Sequence, residues 1–162
     1  MIKADAMPEG YLIRDPRVPQ RDQLVTRPTL ERLAATQGDR VFAKFDDTLE
    51  EWTYAQFLDL VRQTALGLQQ QGVRQGDMVV VFMPNNREQI RIMFALNYLG
   101  AVYVPLNTAY RGGLLEHVIQ LSDARLAIVH AALAPRLADV ATAALEHVII
   151  LGGEAHAIGS LK

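Results

Sequence analysis

The chain has no cysteine among its 162 residues. Disulfides, thiolate metal sites and a cysteine nucleophile are therefore excluded, and the composition fits a reducing compartment. Charge of one sign is lacking too: 16 Lys and Arg face 18 Asp and Glu, a net charge of −2. With no basic face there is no electrostatic footprint for nucleic acid or an anionic membrane. No apolar run reaches the roughly 18 residues of a spanning helix. The first ten residues, Met1 to Gly10, hold no apolar stretch of signal-peptide length. The expectation is a cytoplasmic protein with neither nucleic acid nor membrane as partner. His117, His130, His147 and His156 follow no His-x-x-x-His spacing and no carboxylate pairing, so no metal ligand is nominated. The glycine pairs at 112–113 and 152–153 lack the Gly-x-Gly-x-x-Gly fingerprint, and Ser122-Asp123 sits in no Gly-x-Ser-x-Gly elbow. These absences leave no catalytic residue to name.

What is present is a globular composition and a strong rhythm. Half the residues are hydrophobic and 21% are charged, close to ordinary globular averages. A domain of this length buries about 70% of its unfolded surface, enough for a core. The most informative stretch runs from Gly76 to Asn107. Met78-Val79-Val80-Val81-Phe82-Met83 is an unbroken apolar strand ending at Pro84-Asn85-Asn86. A mostly apolar helix follows to Leu99-Gly100, and then a second strand, Ala101 to Pro105. Strand, helix and strand in about thirty residues mark a parallel pair joined by a crossover helix. Continuous rather than alternating apolar strands are those covered on both faces. Ligands of such sheets gather at the carboxyl ends of the strands.

The rest of the chain extends this pattern. Residues 1–27 are rich in Pro, Arg and Asp with little periodicity and are expected to form an extended arm. Pro28 suits the first turn of a helix with Leu30, Leu33 and Ala34 on one face, stopped by Gly38. Segments 41–45 and 49–53 flank Asp46-Asp47-Thr48 as a β-hairpin. Thr53 and Gln56 have the spacing of a capping box for a helix over 54–71. Asn86 caps the helix over 86–99, which is the simplest role for the Asn85-Asn86 pair. Leu114, Val118 and Leu121 mark a further helix. Strands are expected at 126–129 and 147–151, with an Ala/Leu-rich helix over 131–145 whose first turn accommodates Pro135. The predicted fold is α/β: a doubly wound, mostly parallel sheet with an N-terminal helix and hairpin, occupying residues 28–153. Residues 154–162 have no periodicity and read as a tail cut within a loop.

Several of these residues also carry a family likeness. Trp52-Thr53-Tyr54, Gly76-Asp77, Pro84-Asn85, Leu99-Gly100-Ala101-Val102, Pro105-Leu106-Asn107 and Ser122-Asp123-Ala124-Arg125 occur in an order that resembles the start of an AMP-forming acyl-CoA synthetase. The resemblance runs from about Pro28 to Gly153 and is nearest to the acid–CoA ligases, including the carnitine/crotonobetaine type. It implies a parent enzyme that uses ATP, Mg and CoA, of which this chain is a partial N-terminal domain. The family's Ser/Thr/Gly-rich phosphate loop ending in Pro-Lys has no counterpart here, nor do its downstream nucleotide-binding motifs and catalytic lysine. The rest of that parent is then the expected partner.

The resemblance also implies a position for CoA. In such ligases a basic residue just after the Leu-Asn turn meets the nucleotide phosphates of CoA. Here Arg111 follows that turn, two residues past the best-aligned position, which holds Ala109. Arg111, together with Asn107 and Thr108 as lining of an acyl or pantetheine path, makes up the candidate substrate- or CoA-binding residues; turn chemistry for Asn107 and Thr108 and a solvated surface position for Arg111 are the competing accounts. Apolar faces around Ile92, Phe94, Leu106, Phe45 and Trp52 are expected to stand exposed and to drive homo-oligomers. The competing reading is a self-contained α/β binding module without chemistry.

Overall fold

The computed structural model describes residues 25–152. Nearly all of the expected arm and the whole expected tail lie outside the described residues. Within them the order is α1 (Thr26–Gln37), β1 (Val41–Phe45), β2 (Glu50–Thr53), α2 (Tyr54–Gln70), β3 (Met78–Phe82), α3 (Arg87–Leu99), β4 (Val102–Pro105), α4 (Gly112–Leu121), β5 (Leu126–His130) and β6 (His147–Leu151). Local chemistry sets several of these boundaries. Thr53 accepts the Gln56 N–H while the Gln56 side chain accepts the Thr53 N–H, closing the predicted box at the start of α2. Asn86 accepts the Gln89 N–H at the start of α3. Gly100 ends α3 in the left-handed region at φ +76, where a side chain would be strained.

β1 and β2 form the antiparallel hairpin, and the other strands form a parallel sheet ordered β4-β3-β5-β6. β3 pairs with β4 and with β5, from Met78↔Val102 on one side and Val79↔Leu126 on the other. Successive strand residues point to opposite faces, so β3 divides its side chains between two cores. Val79 and Val81 belong to one core cluster with residues of α1, α2 and α3, while Val80 and Phe82 belong to a second with Leu115, Ile119 and Leu137. All four are at most 1% exposed. Full burial of each contributes about 1.5–3 kcal/mol, which disfavours a polar residue at these four positions. Helices on both faces and the jump from β4 across β3 to β5 give the doubly wound arrangement.

Two expectations are corrected. The helix over 131–145 is absent; a short 3₁₀ turn at Ala134–Leu137 stands in its place. A helix begun at Ala131 would need an N–H on residue 135 for its first i→i−4 bond, and Pro135 has none. Proline also disfavours α geometry at Ala134. The segment instead crosses from β5 to β6 through turns, with Leu133, Ala134 and Leu137 buried. The exposed apolar faces also lie elsewhere than expected. Ile92, Leu106 and Trp52 are buried, and Phe45 and Phe94 are half-buried. Phe42, Phe45, Trp52, Phe57 and Phe94 cover one another at ring separations of 4.1–5.7 Å. Among the described residues Leu49, Leu121 and Leu66 are the most exposed large apolar residues instead, Leu121 at 75%, and Leu114 is exposed as well. On α4 the buried positions are Leu115 and Ile119, one step round from the predicted stripe.

Candidate functional site

The carboxyl end of β4 runs into the segment that carries all three nominated residues. Leu106 N–H donates to the Val81 carbonyl at 2.9 Å, continuing the ladder one residue past β4 and burying the Leu106 side chain. Asn107 then turns the chain. Its Oδ1 accepts the Ala109 N–H at 2.9 Å, and its carbonyl accepts the Tyr110 N–H at 3.0 Å. This is the local Asx geometry that asparagine favours after a strand, and it occupies the Asn107 side-chain oxygen. The Thr108 carbonyl accepts a hydrogen bond from Nη1 of Arg136. Arg111 is the N-terminal flanking residue of α4, extended at φ −151, and Gly112 follows at φ +50.

Sequence proximity is thus matched by position: Asn107, Thr108 and Arg111 share one turn at the rim of the sheet. Asn107 and Arg111 are exposed and Thr108 is half-buried. No side chain caps α4, whose first residues are Gly112 and Gly113. An exposed guanidinium beside a helix start, in a turn pinned by backbone contacts, can donate paired hydrogen bonds to a phosphate or carboxylate. The arrangement offers no general base and no nucleophile. Arg136 is a further residue of this turn that sequence reasoning did not single out. It lies within the stretch read as a helix, and its partner is 28 positions away.

Several charged groups elsewhere are paired for structure. At the amino ends of the strands a cleft of about 460 Å³ is lined by Asp77, Asp123, Arg125, Glu146 and His147 among others. There Arg125 Nε donates to Glu146 at 2.7 Å and Nη2 to its second oxygen. The hydrogen bond from Arg125 holds the Glu146 carboxyl below the usual carboxylate range. That pair ties the approaches to β5 and β6 together. On β4, burial pushes the Tyr103 phenol up. Among the described residues no group of three or more His, Cys, Asp or Glu side chains is arranged to hold a metal ion. No helix of the described residues is long and apolar enough to cross a membrane.

Comparison with known proteins fixes the family. The pattern of the AMP-binding enzymes matches residues 30–159. The acyl-CoA ligase sidI of Aspergillus fumigatus is 30% identical over 167 aligned positions, covering 88% of this chain and 28% of that protein. The crotonobetaine/carnitine–CoA ligase of Salmonella paratyphi B is 26% identical over 132 positions, covering 78% and 26%. Among solved structures, the N-terminal domain of FACL13 from Mycobacterium tuberculosis superposes with a TM-score of 0.71 at 25% identity, over 77% of this chain and 33% of that one. The chain thus spans less than a third of the length of these two curated relatives. The matched residues include the central parallel sheet, its helices and the turn at Asn107–Arg111, and the chain belongs to the AMP-binding enzyme family.

Proposed function

We propose that this chain is the non-activating part of an ATP-dependent, AMP-forming carboxylic acid–CoA ligase, forming its scaffold and part of the rim where CoA approaches. In such a reaction the acid attacks ATP to give an acyl-adenylate and pyrophosphate. The CoA sulfur then attacks the acyl carbon and AMP leaves. The first step develops charge on departing pyrophosphate and needs preorganised cationic partners. The sequence offers no Ser/Thr/Gly-rich phosphate loop ending in Pro-Lys, so those partners are assigned to the part of the relatives that this chain does not match. The acid substrate is likewise left to that remainder. The kinship to ligases of crotonobetaine, carnitine and other acids supports the reaction class rather than one acid.

The observation that carries the CoA assignment is the turn after β4. It presents Arg111, an always-charged fork suited to phosphate, at a carboxyl strand end. The test is a titration of the ¹⁵N-labelled chain with CoA, followed by amide shifts. The expected perturbations centre on 107–113. Because a charge-assisted hydrogen bond is worth about 1.5–3 kcal/mol, Arg111→Ala should weaken binding roughly tenfold or more. Perturbations elsewhere, or an unchanged affinity in Arg111→Ala, would remove the assignment and leave Arg111 as a solvated arginine.

A further inference from the structure

Between the end of β4 at Pro105 and the start of α4 at Gly112, the main chain belongs to no regular element. Its carbonyls therefore need partners from outside helix and sheet. The Thr108 carbonyl finds one in Arg136, which stands on the 3₁₀ turn between β5 and β6. That turn is itself anchored: Ala134 and Leu137, on either side of Arg136, are each 2% exposed. The Arg136 guanidinium also lies 6.0 Å from the ring centre of Phe82, the last residue of β3. A planar guanidinium can rest near an aromatic ring and still direct an N–H at a carbonyl, which a lysine ammonium does less well. A second stitch ties the crossover to the following helix, since Glu116 of α4 accepts the Ala141 N–H at 3.0 Å. The β5–β6 crossover thus holds the β4–α4 connection at Thr108 and the helix beyond it at Glu116.

We infer that Arg136 is a positioning residue for the rim: by holding the Thr108 carbonyl over the end of β3, it fixes the main-chain path from Asn107 to Arg111 and so presents Arg111 to its anionic ligand. The hold on the turn rests on this geometry alone. The identity of the ligand as CoA rests on the reading given above. Arg136 touches no reacting atom in this account.

The test compares the whole chain with Arg136→Met and Arg136→Lys, using ¹⁵N relaxation and titration with CoA. In the wild type, the amides of Ala109 and Tyr110 should show backbone order parameters near the rigid value of about 0.85. In Arg136→Met they should drop towards about 0.6 or lower, with β3 and β5 unchanged. The affinity for CoA should fall roughly fivefold, the scale of one lost hydrogen bond. Arg136→Lys, which can still donate one N–H, should recover part of both effects. Unchanged order at 109–110 in Arg136→Met overturns the inference. So does equal loosening of β3 and β5, which would make Arg136 a general stabiliser, and so does a loosened turn with unaltered affinity. If the turn loosens as expected but the wild type shows no response to CoA, the CoA reading fails and the hold of Arg136 on the turn stands.

Discussion

Glu31 shows how single residues join the helices on one face. Its carboxylate accepts from the Tyr98 hydroxyl at 2.6 Å and lies 3.4 Å from Arg27 Nε and 3.5 Å from Arg62 Nη2, linking α1, α2 and α3. The Tyr98 hydrogen bond first, and then the arginines, hold the Glu31 carboxyl below its ordinary 4.5. A depressed folded value means stability that is present above the unfolded value and lost as pH falls through the folded one. Glu31→Gln should therefore destabilise the chain at pH 7, by no more than about 1 kcal/mol because these groups are solvent-screened. The gap to wild type should begin to close below pH 4.5, where the unfolded carboxyl protonates. Urea unfolding at pH 7 and across the acid range measures this, and a gap that stays constant with pH would contradict it. Residue-scale features that depend on short spacing were legible in the sequence. Thr53 with Gln56 and Asn86 with Gln89 are each three apart, and both form their caps. Contacts between distant residues, such as Arg136 with Thr108 or Tyr98 with Glu31, leave no such trace.

At the scale of elements, α4 and the β5–β6 crossover mark where reading the sequence reached its limit. The α4 sequence carries two apolar stripes side by side, Leu114-Val118-Leu121 and Leu115-Ile119. Periodicity identifies the helix without saying which stripe faces the sheet. Phe82 and Val80 decide it by packing with Leu115 and Ile119. Ile119→Ala should then cost about 2–5 kcal/mol, the usual range for emptying a packed site. Leu121→Ser should stay within about 0.5 kcal/mol. The exposed leucines at the two ends of the other stripe, Leu114 and Leu121, have a second consequence, because exposed apolar surface favours association. Light scattering should show species larger than the monomer as concentration rises, reduced in a Leu114→Ser, Leu121→Ser double variant. A strict monomer at all concentrations would contradict that expectation. In the crossover, the Ala/Leu composition of 131–145 argued for a helix, and Pro135 within it proved stronger than composition.

For the whole molecule, the parallel sheet was legible because β3, β4, β5 and β6 are apolar runs separated by crossover segments, with no hairpin turns between them. Their lateral order, β4-β3-β5-β6, was not, since it depends on which face each crossover covers. The family too was legible, from short motifs such as Pro84-Asn85 and Pro105-Leu106-Asn107 that sit at strand ends. The candidate site was legible only as a turn with an arginine in it. Nothing within 107–111 tells a reader that Arg136 reaches it from the β5–β6 crossover. Under the proposed division of labour, this chain supplies scaffold and rim, and the groups that activate the acid lie outside it. The most direct measurement is acid-dependent exchange of labelled pyrophosphate into ATP by the pure chain, across a panel of carboxylic acids with Mg²⁺ present. The account predicts no exchange above the protein-free background for any acid, because the charge on departing pyrophosphate would meet no preorganised partner. Exchange that depends on a particular acid, and that persists through purification to homogeneity, would contradict it.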